Sequence, residues 1–352
     1  MDVVLDNIGF SLQRIGGLTM VWEALIRSIV KSGLNYTCLE YPGAMDNKIR
    51  KFMEPFVVED RRPLSMFIER YRNPYIEYNT PFIFHSSHYR TTNNPNAINV
   101  TTVHDFTYEL FSRGLAQKVH SWQKNNAIRK ADIIVSISEN TKKDILRFLP
   151  DVDPYKIRVI YNGVSEDYKP NSNSKYKDMG DHVVFVGSRQ SYKNFHFVVN
   201  SIKDTPLSLA IVGRSLSDEE VILLDSQLGK ERYIYMGYLS NFELNELYNT
   251  CYCLAYPSAY EGFGIPVLEA QRAGCPVIAY NSSSIPEIIG DTPLLLKEIN
   301  THEFQDKLNL LKDENIRKTI IDRGYENSMR FSWEKMGNEY VELYKELLNS
   351  KG

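Results

Sequence analysis

Short apolar runs alternate with amphipathic stretches through almost the whole chain. The apolar runs are rich in β-branched residues and are typical of strands buried on both faces of a sheet. The predicted strands are VVLDNI, PFIFHSS, INVTTVHD, DIIVSIS, IRVIYN, HVVFVGS, LSLAIVG, YIYMGY, CYCLAYP and PVIAY. The clearest amphipathic stretch, from Leu18 to Val30, predicts a helix that ends at Gly33. Strands that alternate with helices indicate parallel sheets built from right-handed βαβ units, and therefore an α/β fold.

A polar segment divides this alternation into two halves. Residues 169–181, KPNSNSKYKDMGD, contain no large aliphatic residue except Met179 and have the composition of a linker. We therefore expect an N-terminal domain over residues 1–168 and a second domain over residues 182–332. An amphipathic pattern predicts a final helix within residues 333–352, which could pack on either domain.

Composition and charge exclude several classes of protein. The 352 residues are 43% hydrophobic and 24% charged, as in globular proteins long enough to bury a substantial core. With 41 basic and 44 acidic residues, the net charge of −3 gives no support for nucleic-acid binding. The four cysteines are too scattered for a disulfide framework, and we expect Cys251 and Cys253 in the core rather than in a zinc site. Without a signal-peptide pattern or an apolar run of about 18 residues, the expected location is cytoplasmic.

The strongest motif is SAYEGFGIPVLEAQRAGCPVIAY, residues 258–280. Pro266 is suited to the start of a helix, so a helix is predicted from there to Gly274. Gly262 and Gly264 allow the preceding backbone to approach a ligand closely. Amides at such a helix N-terminus attract anions, so the segment indicates an anionic ligand.

Two carboxylates accompany this motif. Glu261 lies in the predicted loop, and Glu269 is expected in the first turn of the helix, so that both could face one cleft. Carboxylates accept hydrogen bonds from vicinal hydroxyls, which favours sugar or ribose recognition. The alternative is a helix cap followed by a solvated acidic turn.

A second motif, VVFVGSRQSYKNFHFVV, occupies residues 183–199. A predicted strand leads into Gly187, Arg189 and Lys193 follow, and a helix is predicted from Asn194. Glycine, two cations and a helix N-terminus are typical of a phosphate-binding turn. The motif lacks the Gly-Lys-Ser/Thr of a Walker loop and the G-x-G-x-x-G of a dinucleotide site. The alternative is an ordinary turn with two surface cations.

Weaker signals lie in the N-terminal half. Gly16 and Gly17 form a permissive turn before the first predicted helix, of the kind that meets ligands at the carboxyl ends of parallel strands. His104 and Asp105 follow another predicted strand, where α/β folds place functional groups. His85 ends a further strand. A histidine satisfied within the core is the alternative for His104.

Together these segments resemble the family 4 retaining glycosyltransferases, which have the two-domain GT-B architecture. The resemblance lies in the E-x7-E pair of EGFGIPVLEA, in the turn of Arg189 and Lys193, and in the segments SISENTKKDI, VIYNGV and TVHD. It implies two Rossmann-like domains whose parallel sheets face a central cleft. Within the family, the stretch from GYLSNFELNELYNT through EGFGIPVLEA looks most like the mannosyltransferases of O-antigen and capsular polysaccharide synthesis.

The resemblance implies a nucleotide-sugar substrate in the second domain. Glu269 would bind the ribose hydroxyls. Arg189 and Lys193 would hold the diphosphate and stabilise the charge that develops on the leaving phosphate. Glu261 would contact hydroxyls of the transferred sugar. The remaining positions implied to bind this substrate are Gly187, Phe263, Gly264 and Ile265.

The resemblance also implies roles for the N-terminal domain. His104 would approach the transferred sugar, and Asp105 would lie on the acceptor side. Gly16 and Gly17 would face the diphosphate or the acceptor. The final helix, residues 333–352, would cross back onto this domain.

These roles predict a retaining hexosyltransferase that moves mannose from GDP-mannose to a glycan or lipid-linked glycan in bacterial surface polysaccharide synthesis. Two cations and helix dipoles can neutralise the phosphates, so no metal and no cofactor are expected. The alternatives are a UDP-sugar as the substrate of the same fold, a nucleotide-sugar epimerase, and a non-catalytic protein that binds sugar nucleotides.

A lipid-linked acceptor would require the protein to approach the inner face of the plasma membrane. Residues 118–130, KVHSWQKNNAIRK, combine four Lys or Arg residues with a His and a Trp, and they contain no acid. This composition favours a peripheral association with anionic lipid. The alternative is a solvated helix face.

Overall fold

The computed structural model of the protein describes residues 2–14, 16–54, 56–171 and 173–350. The chain divides into two compact units. The first comprises the chain up to Gly163 together with the chain from Trp333 onward, and the second comprises Val164–Ser332. Within the described residues, no helix is both long enough and apolar enough to span a membrane.

The first unit is a parallel sheet with helices between its strands. Its elements are β1 (Asp2–Asp6), α1 (Ile8–Leu12), α2 (Gly17–Ser32), β2 (Asn35–Glu40), β3 (Val58–Asp60), α3 (Met66–Glu69), β4 (Phe82–Ser86), β5 (Ala97–Val103), α4 (Thr107–Phe111), α5 (Leu115–Lys130), β6 (Ile133–Ser136), α6 (Glu139–Phe148) and β7 (Ile157–Val159), with α14 (Trp333–Ser350) from the end of the chain. The described strands pair in the order β3-β2-β1-β4-β5-β6-β7, every pair parallel.

The second unit repeats this architecture. Its elements are β8 (His182–Val186), α7 (Phe195–Ile202), β9 (Ser208–Val212), α8 (Asp218–Gln227), β10 (Tyr233–Gly237), α9 (Asn241–Thr250), β11 (Cys253–Tyr256), α10 (Ile265–Ala273), β12 (Val277–Tyr280), α11 (Ile285–Ile289), β13 (Leu295–Leu296), α12 (Thr301–Leu310) and α13 (Glu314–Ser328). Its described strands pair in the order β10-β9-β8-β11-β12-β13, again all parallel. The predicted α/β class is confirmed.

The strand order of each sheet reverses at one point, between β1 and β4 in the first and between β8 and β11 in the second. Doubly wound sheets bind their ligands at the carboxyl ends of the strands beside such a point. In the second unit, the loop after β8 contains Arg189 and Lys193, and the loop after β11 contains Glu261. The topology therefore places both motifs of this unit at its expected ligand-binding edge.

All ten predicted strands are present, and most of them are buried runs of apolar residues, although β10 is partly exposed. The prediction of a helix from Leu18 to Gly33 is also confirmed, since α2 ends at Gly33 with a left-handed φ of 72°. The sequence reading missed β2, β3 and β13. The strand β3 has three residues, all exposed, and β13 has only two, so neither carries the apolar pattern of a central strand.

The predicted linker, residues 169–181, is not a spacer between the units. Its described residues belong to the second unit, where the Lys169 amide donates to Asn245 Oδ1 (2.9 Å) and Ser174 Oγ donates to the Glu246 carbonyl (3.0 Å) on α9. Ser172 lies outside the described residues. Polar groups of this segment form hydrogen bonds with α9. The boundary between the units lies earlier, after Gly163.

The last helix, α14, packs on α2 in the first unit. Its apolar face buries Met336, Tyr340 and Tyr344 in the same core as Trp22. The two helices approach closely at Gly337, where an added Cβ would lie 2.4 Å from Ser28 Cβ. Residues 351–352 of the predicted helix lie outside the described residues.

Candidate active site

The helix predicted from Pro266 to Gly274 is present as α10, with Pro266 in its first turn and Gly274 as its C-cap. The residue before it, Gly264, has a φ of 106°, which is the left-handed region that favours glycine. A Cβ at Gly264 would also lie 2.8 Å from Ile285 Cδ1 on α11. The backbone conformation therefore favours glycine at this position, and the N-terminus of α10 lies close to α11.

The loop that leads into α10 is fixed by the serines that precede α11. The Glu261 amide donates to Ser283 Oγ (2.8 Å), and Ser284 Oγ donates to the carbonyls of Glu261 and Phe263 (2.9 Å each). The Phe263 ring packs edge-on against Phe331, 5.7 Å between centroids. The side chain of Phe263 is thus a core residue, and only its backbone could serve a ligand. Sequence reasoning did not assign these serines a structural role.

Lys193 and Glu261, predicted independently from two motifs, are in direct contact. Lys193 Nζ donates a hydrogen bond to Glu261 Oε1, and both side chains are mostly buried. The Lys193 ammonium also lies 5.4 Å from the centroid of the Tyr256 ring. Asn194 ties the two loops together, since its Nδ2 donates to the Pro257 carbonyl (2.8 Å). The structure therefore brings together one cation and one carboxylate at the expected ligand-binding edge.

Arg189 has partners that the sequence did not reveal. Its Nε donates to Glu220 Oε1 (2.8 Å), and its Nη2 donates to the carbonyls of Arg214 (2.9 Å) and Ser215 (2.7 Å). Its side chain is fully buried, and Nη1 has no hydrogen-bond partner among the described residues. Arg189 thus fastens the loop after β8 to the start of α8, and one nitrogen remains unpaired.

Glu220 is the residue that sequence reasoning missed here. It caps α8, because Ser217 Oγ accepts from the Glu220 amide and Glu220 Oε2 accepts from the Ser217 amide (2.8 Å). Burial raises the pKa of Glu220, but hydrogen bonds from Arg189 and Ser217 outweigh it and hold the pKa below its usual range. The Ser-x-x-Glu spacing of a capping box was the available signal.

Glu269 lies in the second turn of α10, not in the first turn as predicted, and it is buried. Burial raises its pKa from 4.5 to about 7, although a hydrogen bond from Tyr168 opposes the rise. Tyr168 is itself buried and was not identified from the sequence, where it is one aromatic residue in a polar stretch. A buried carboxyl group beside a phenol is suited to accept hydrogen bonds from ligand hydroxyls.

The charges of Glu261 and Glu269 both affect the buried phenol of Tyr256. The pKa of Tyr256 is raised first by burial and then by the charges of Glu261 and Glu269. Gly187 directly follows the neighbouring strand β8, and its amide donates to the Val212 carbonyl (3.0 Å). The second unit therefore gathers both carboxylates and the N-terminus of α10, with Gly264 and Ile265, around the end of β11.

In the first unit, His104 and Asp105 follow β5 as predicted. Asp105 Oδ1 accepts from the Thr107 amide (2.9 Å), and the Asp105 carbonyl accepts from Lys124 Nζ (2.9 Å). Burial lowers the pKa of His104, and the charge of Lys124 lowers it further while Asp105 opposes the change. His104 is therefore a neutral imidazole near pH 7, which can donate or accept a hydrogen bond.

His85 fits the alternative of a satisfied core histidine. Its Nε2 pairs with Thr102 Oγ1 (2.9 Å), its Nδ1 pairs with the Tyr344 hydroxyl, and burial lowers its pKa to about 3. Gly16 caps α2, and its carbonyl accepts from Thr19 Oγ1 (2.9 Å). Gly17 begins α2 with open space around the position of a Cβ. The glycine pair therefore forms the predicted turn.

The segment predicted to attract lipid differs from expectation. Lys124 is buried on α5 and pairs with Glu109 (2.6 Å), so it adds no charge to the surface. The exposed apolar residues of α5 are Leu115, Val119 and Trp122. The apolar surface of this helix is thus larger, and its basic surface smaller, than the composition predicted.

The sequence reading also passed over an Asp-x-Asp sequence at residues 151–153. Asp151 pairs with Arg129 (2.7 Å), and Asp153 Oδ1 accepts from the Tyr155 amide (2.9 Å). Among the described residues, no group of three or more His, Cys, Asp or Glu side chains could hold a metal ion. Cys251 and Cys253 are buried as expected, and Cys251 Sγ lies 3.3 Å from Cys275 Sγ.

Two family models match the chain, Glycosyltransferase Family 4 over residues 15–168 and Glycosyl transferases group 1 over residues 169–327. The O-antigen chain mannosyltransferase B of Escherichia coli is 27% identical over 270 residues, which is 70% of each chain.

Solved structures share the fold over nearly the whole chain. Sucrose-phosphate synthase from Thermosynechococcus elongatus has a TM-score of 0.78 at 18% identity and covers 99% of this chain and 100% of its own. HepE of Anabaena, in complex with UDP and glucose, has a TM-score of 0.76 at 16% identity and covers 98% of this chain and 100% of its own. These similarities confirm the predicted GT-B fold.

Proposed function

Because the chain belongs to the glycosyltransferases that join a family 4 domain to a group 1 domain, we propose that it transfers mannose from GDP-mannose to a glycan acceptor. The proposal places this step in bacterial surface polysaccharide synthesis. It rests on one observation above all, the contact of Lys193 with Glu261 beside the N-terminus of α10. The mannosyl group follows the Escherichia coli relative, whose name specifies O-antigen mannosyl transfer.

In this proposal the second unit binds the nucleotide sugar. The diphosphate lies against Lys193, the free Nη1 of Arg189, and the backbone at Gly187. Hydroxyls of mannose bind Glu261 and the backbone at Phe263, Gly264 and Ile265, and the ribose hydroxyls bind Glu269. Lys193 is suited to this role because its charge is held in place by a carboxylate, so little reorganisation is needed when phosphate charge develops.

The proposed reaction retains the configuration at the anomeric carbon. The acceptor oxygen bonds to the anomeric carbon on the face from which the phosphate departs, while the bond from that carbon to the phosphate oxygen breaks. The acceptor proton passes to the departing phosphate oxygen. The protein contributes positioning and charge stabilisation, in which Lys193 and the dipole of α10 act on the leaving group. In the first unit, His104 is proposed to contact the sugar and Asp105 the acceptor side, and Gly16 and Gly17 to face the diphosphate or the acceptor.

We propose that the reaction needs no metal. Lys193 and the amides at the start of α10 supply positive charge where the diphosphate is expected. Both carboxylates of the Asp-x-Asp sequence have protein partners, Arg129 for Asp151 and the Tyr155 amide for Asp153. Because both carboxylates already bind protein groups, we assign Asp151 and Asp153 a structural role.

A UDP-sugar is the second candidate substrate, because HepE shares the fold and was crystallised with UDP and glucose. A thermal-shift screen distinguishes the candidates, since a ligand that binds the native state raises the melting temperature. We expect a shift with GDP-mannose that is larger than with UDP-glucose and unchanged by EDTA. A larger shift with UDP-glucose would identify a UDP-sugar as the substrate instead of GDP-mannose. A shift abolished by EDTA would overturn metal independence. No shift with any nucleotide sugar would contradict the assignment of the site.

We also propose a peripheral contact of the first unit with anionic lipid, for a lipid-linked acceptor. The exposed Leu115, Val119 and Trp122 on α5 lie at helical spacings of four and three residues, so they share one side of the helix. Exposed Arg113 and Lys118 adjoin them in sequence. Co-sedimentation with anionic vesicles tests this contact. Equal recovery with neutral and anionic vesicles, or no loss of binding in Trp122→Ala, would contradict it.

A further inference from the structure

Two adjoining cavities lie in the first unit beyond the carboxyl ends of β2 and β3. The first has a volume of about 250 Å³, and its wall includes Tyr41, Arg61, Arg62, Glu69, Arg72 and Tyr75. We call it the arginine cavity. The second, of about 270 Å³, shares Tyr41, Arg61 and Arg62 with it. The function proposed above assigns no role to either cavity.

The arginine cavity carries unneutralised positive charge. Arg62 and Arg72 are exposed, and neither forms an ion pair with a described residue. Arg61 is partly neutralised, since its Nε lies 3.3 Å from Glu59 and its Nη2 donates to the Tyr75 carbonyl. Among the described residues of the wall, Glu69 is the one acid, and its carboxylate is already paired with another arginine.

Glu69 is paired with Arg90, which is fully buried behind the wall. Arg90 Nη2 lies 2.8 Å from Glu69 Oε1, and its Nε donates to the Arg72 carbonyl (2.9 Å). The Arg90 guanidinium also lies 5.2 Å from the centre of the Tyr41 ring and 3.5 Å from Asp6 Oδ2. One buried residue therefore holds three parts of the wall in place. The wall is held at these three points before a ligand binds, so binding would order mainly the exposed side chains of Arg62 and Arg72.

The chemistry of the wall fits an oxyanion attached to a sugar or its carrier. Guanidinium groups present paired N–H donors that match the geometry of carboxylate and phosphate. Tyr41 and Tyr75 add aromatic surface beside them. The second cavity, whose wall includes Asp60 and Gly43, offers backbone and carboxylate acceptors instead. A ligand with an anionic group in the first cavity and hydroxyl groups in the second would match the chemistry of both walls.

The position of the cavity suits a part of the acceptor remote from the reacting bond. Tyr41 follows β2 and His104 follows β5, at the same edge of the sheet. These strands are three places apart in the order β2-β1-β4-β5. At about 4.8 Å per place, the separation is roughly 14 Å. We infer that the arginine cavity is an acceptor subsite that binds a carboxylate or phosphate carried by the acceptor glycan or by its lipid carrier. This inference rests on the proposed function.

Calorimetry on the full chain tests the inference, with GDP present in every titration so that phosphate-binding groups of the nucleotide site are occupied. The probes are trigalacturonate, which carries carboxylates, farnesyl diphosphate, which carries phosphates on a lipid, and maltotriose, which is neutral. The variant is Arg62→Ala/Arg72→Ala. The matched control is Lys143→Ala/Arg147→Ala, which removes two exposed cations from α6 in the same unit.

We expect at least one anionic probe to bind more tightly than maltotriose, and to bind at least tenfold more weakly to Arg62→Ala/Arg72→Ala, because two charge-assisted contacts are lost. The control should bind like the wild type. A loss confined to trigalacturonate would identify an acidic glycan, and one confined to farnesyl diphosphate would identify the lipid carrier. Equal affinity of the wild type and Arg62→Ala/Arg72→Ala for both anionic probes would overturn the inference.

A second readout separates this inference from the proposed function. The melting-temperature shift with GDP-mannose should be the same in Arg62→Ala/Arg72→Ala as in the wild type, because the cavity takes no part in binding the nucleotide sugar. A wild type that shows no shift with any nucleotide sugar would overturn the proposed function, whatever the anionic probes do. A shift that is lost in Arg62→Ala/Arg72→Ala would overturn the assignment of the cavity to the acceptor.

Discussion

Lys193 Nζ donates a hydrogen bond to Oε1 of Glu261, a residue 68 positions later in the chain, and both side chains are mostly shielded from solvent. The ammonium is thus held at the end of β11 before any ligand arrives. We predict that Lys193→Ala lowers kcat by about 10²–10³, the usual cost of losing one preorganised group that stabilises transition-state charge. Steady-state release of nucleotide diphosphate measures this change.

A matched control for Lys193→Ala is Lys203→Ala, which removes an exposed cation at the end of α7 in the same unit. It should leave kcat unchanged. If the contact between Lys193 and Glu261 served stability alone, Lys193→Ala and Glu261→Gln would lower the melting temperature but leave turnover near that of the wild type. That result would contradict the catalytic assignment of Lys193.

Glu269 gives the second prediction, which concerns pH. Its pKa is about 7 in the folded protein and 4.5 in the unfolded chain, so the ligand-free fold is stabilised below pH 4.5 and loses this contribution as the pH rises from 4.5 to 7. One pKa unit corresponds to about 1.4 kcal/mol, so the loss is roughly 3 kcal/mol. Glu269→Gln cannot ionise. Its free energy of unfolding, relative to the wild type, should therefore be higher at pH 8 than at pH 5.

The nucleotide sugar should reverse this trend. Ribose hydroxyls bind an ionised carboxylate more strongly than a neutral one, so affinity should rise with pH between 6 and 8 and binding should release a proton. Calorimetry in two buffers of different ionisation enthalpy measures the proton. Glu269→Gln should show less release. An affinity that falls as pH rises, or equal proton release in both proteins, would argue against ribose binding at Glu269.

Arg189 gives a prediction about stability. Arg189 is the buried partner of Glu220, and its loss would leave that carboxylate with only the Ser217 amide and the more exposed Arg214, so Arg189→Ala should cost about 3 kcal/mol. Arg214 contacts the same carboxylate (3.2 Å) but is 55% exposed, and Arg214→Ala should cost less than about 1 kcal/mol. Chemical denaturation of the two variants makes the comparison. Equal losses would show that the buried pair contributes no more than the exposed one.

Arg189 also shows how far sequence reasoning reached. The strand, the glycine and the two cations of its motif were predicted correctly, because local composition determines them. The partner Glu220 lies 31 residues away on α8, and no local pattern indicates that a cation will be used to fasten a loop. Lys193 follows by four residues and contacts Glu261 instead. The two cations therefore looked equivalent in the sequence but differ in burial and in partner.

The boundaries of α10 were predictable for the opposite reason. Gly264, Pro266 and Gly274 act through their own backbone conformations, which no distant residue can change. The segment 169–181 was misjudged as a spacer because a polar composition is common to solvated chain and to chain that hydrogen-bonds a helix, as Lys169 does with Asn245. The assignment of Glu269 to the first turn failed because the helix begins at Ile265, four residues earlier.

The close packing of α14 on α2 gives a fourth prediction. A Cβ at Gly337 would lie 2.4 Å from Ser28 Cβ, so Gly337→Ala must push the two helices apart. Overpacking of this kind costs about 1–3 kcal/mol, partly offset by the higher helix propensity of alanine. The double variant Gly337→Ala/Ser28→Gly removes the clash and should recover stability. If Gly337→Ala costs as much stability in the Ser28→Gly background as in the wild type, measured by urea denaturation, steric contact is not the cause.

The most direct test of the proposed transfer is phosphorus NMR of the protein incubated separately with GDP-mannose and with UDP-glucose, in parallel with Lys193→Ala. The wild type should convert the diphosphoester signals to those of free GDP, slowly with water as the acceptor, and Lys193→Ala should do so at least about a hundredfold more slowly. Release of GDP at the same rate by both proteins, or of UDP from UDP-glucose in preference to GDP, would contradict the account of the site or of its substrate.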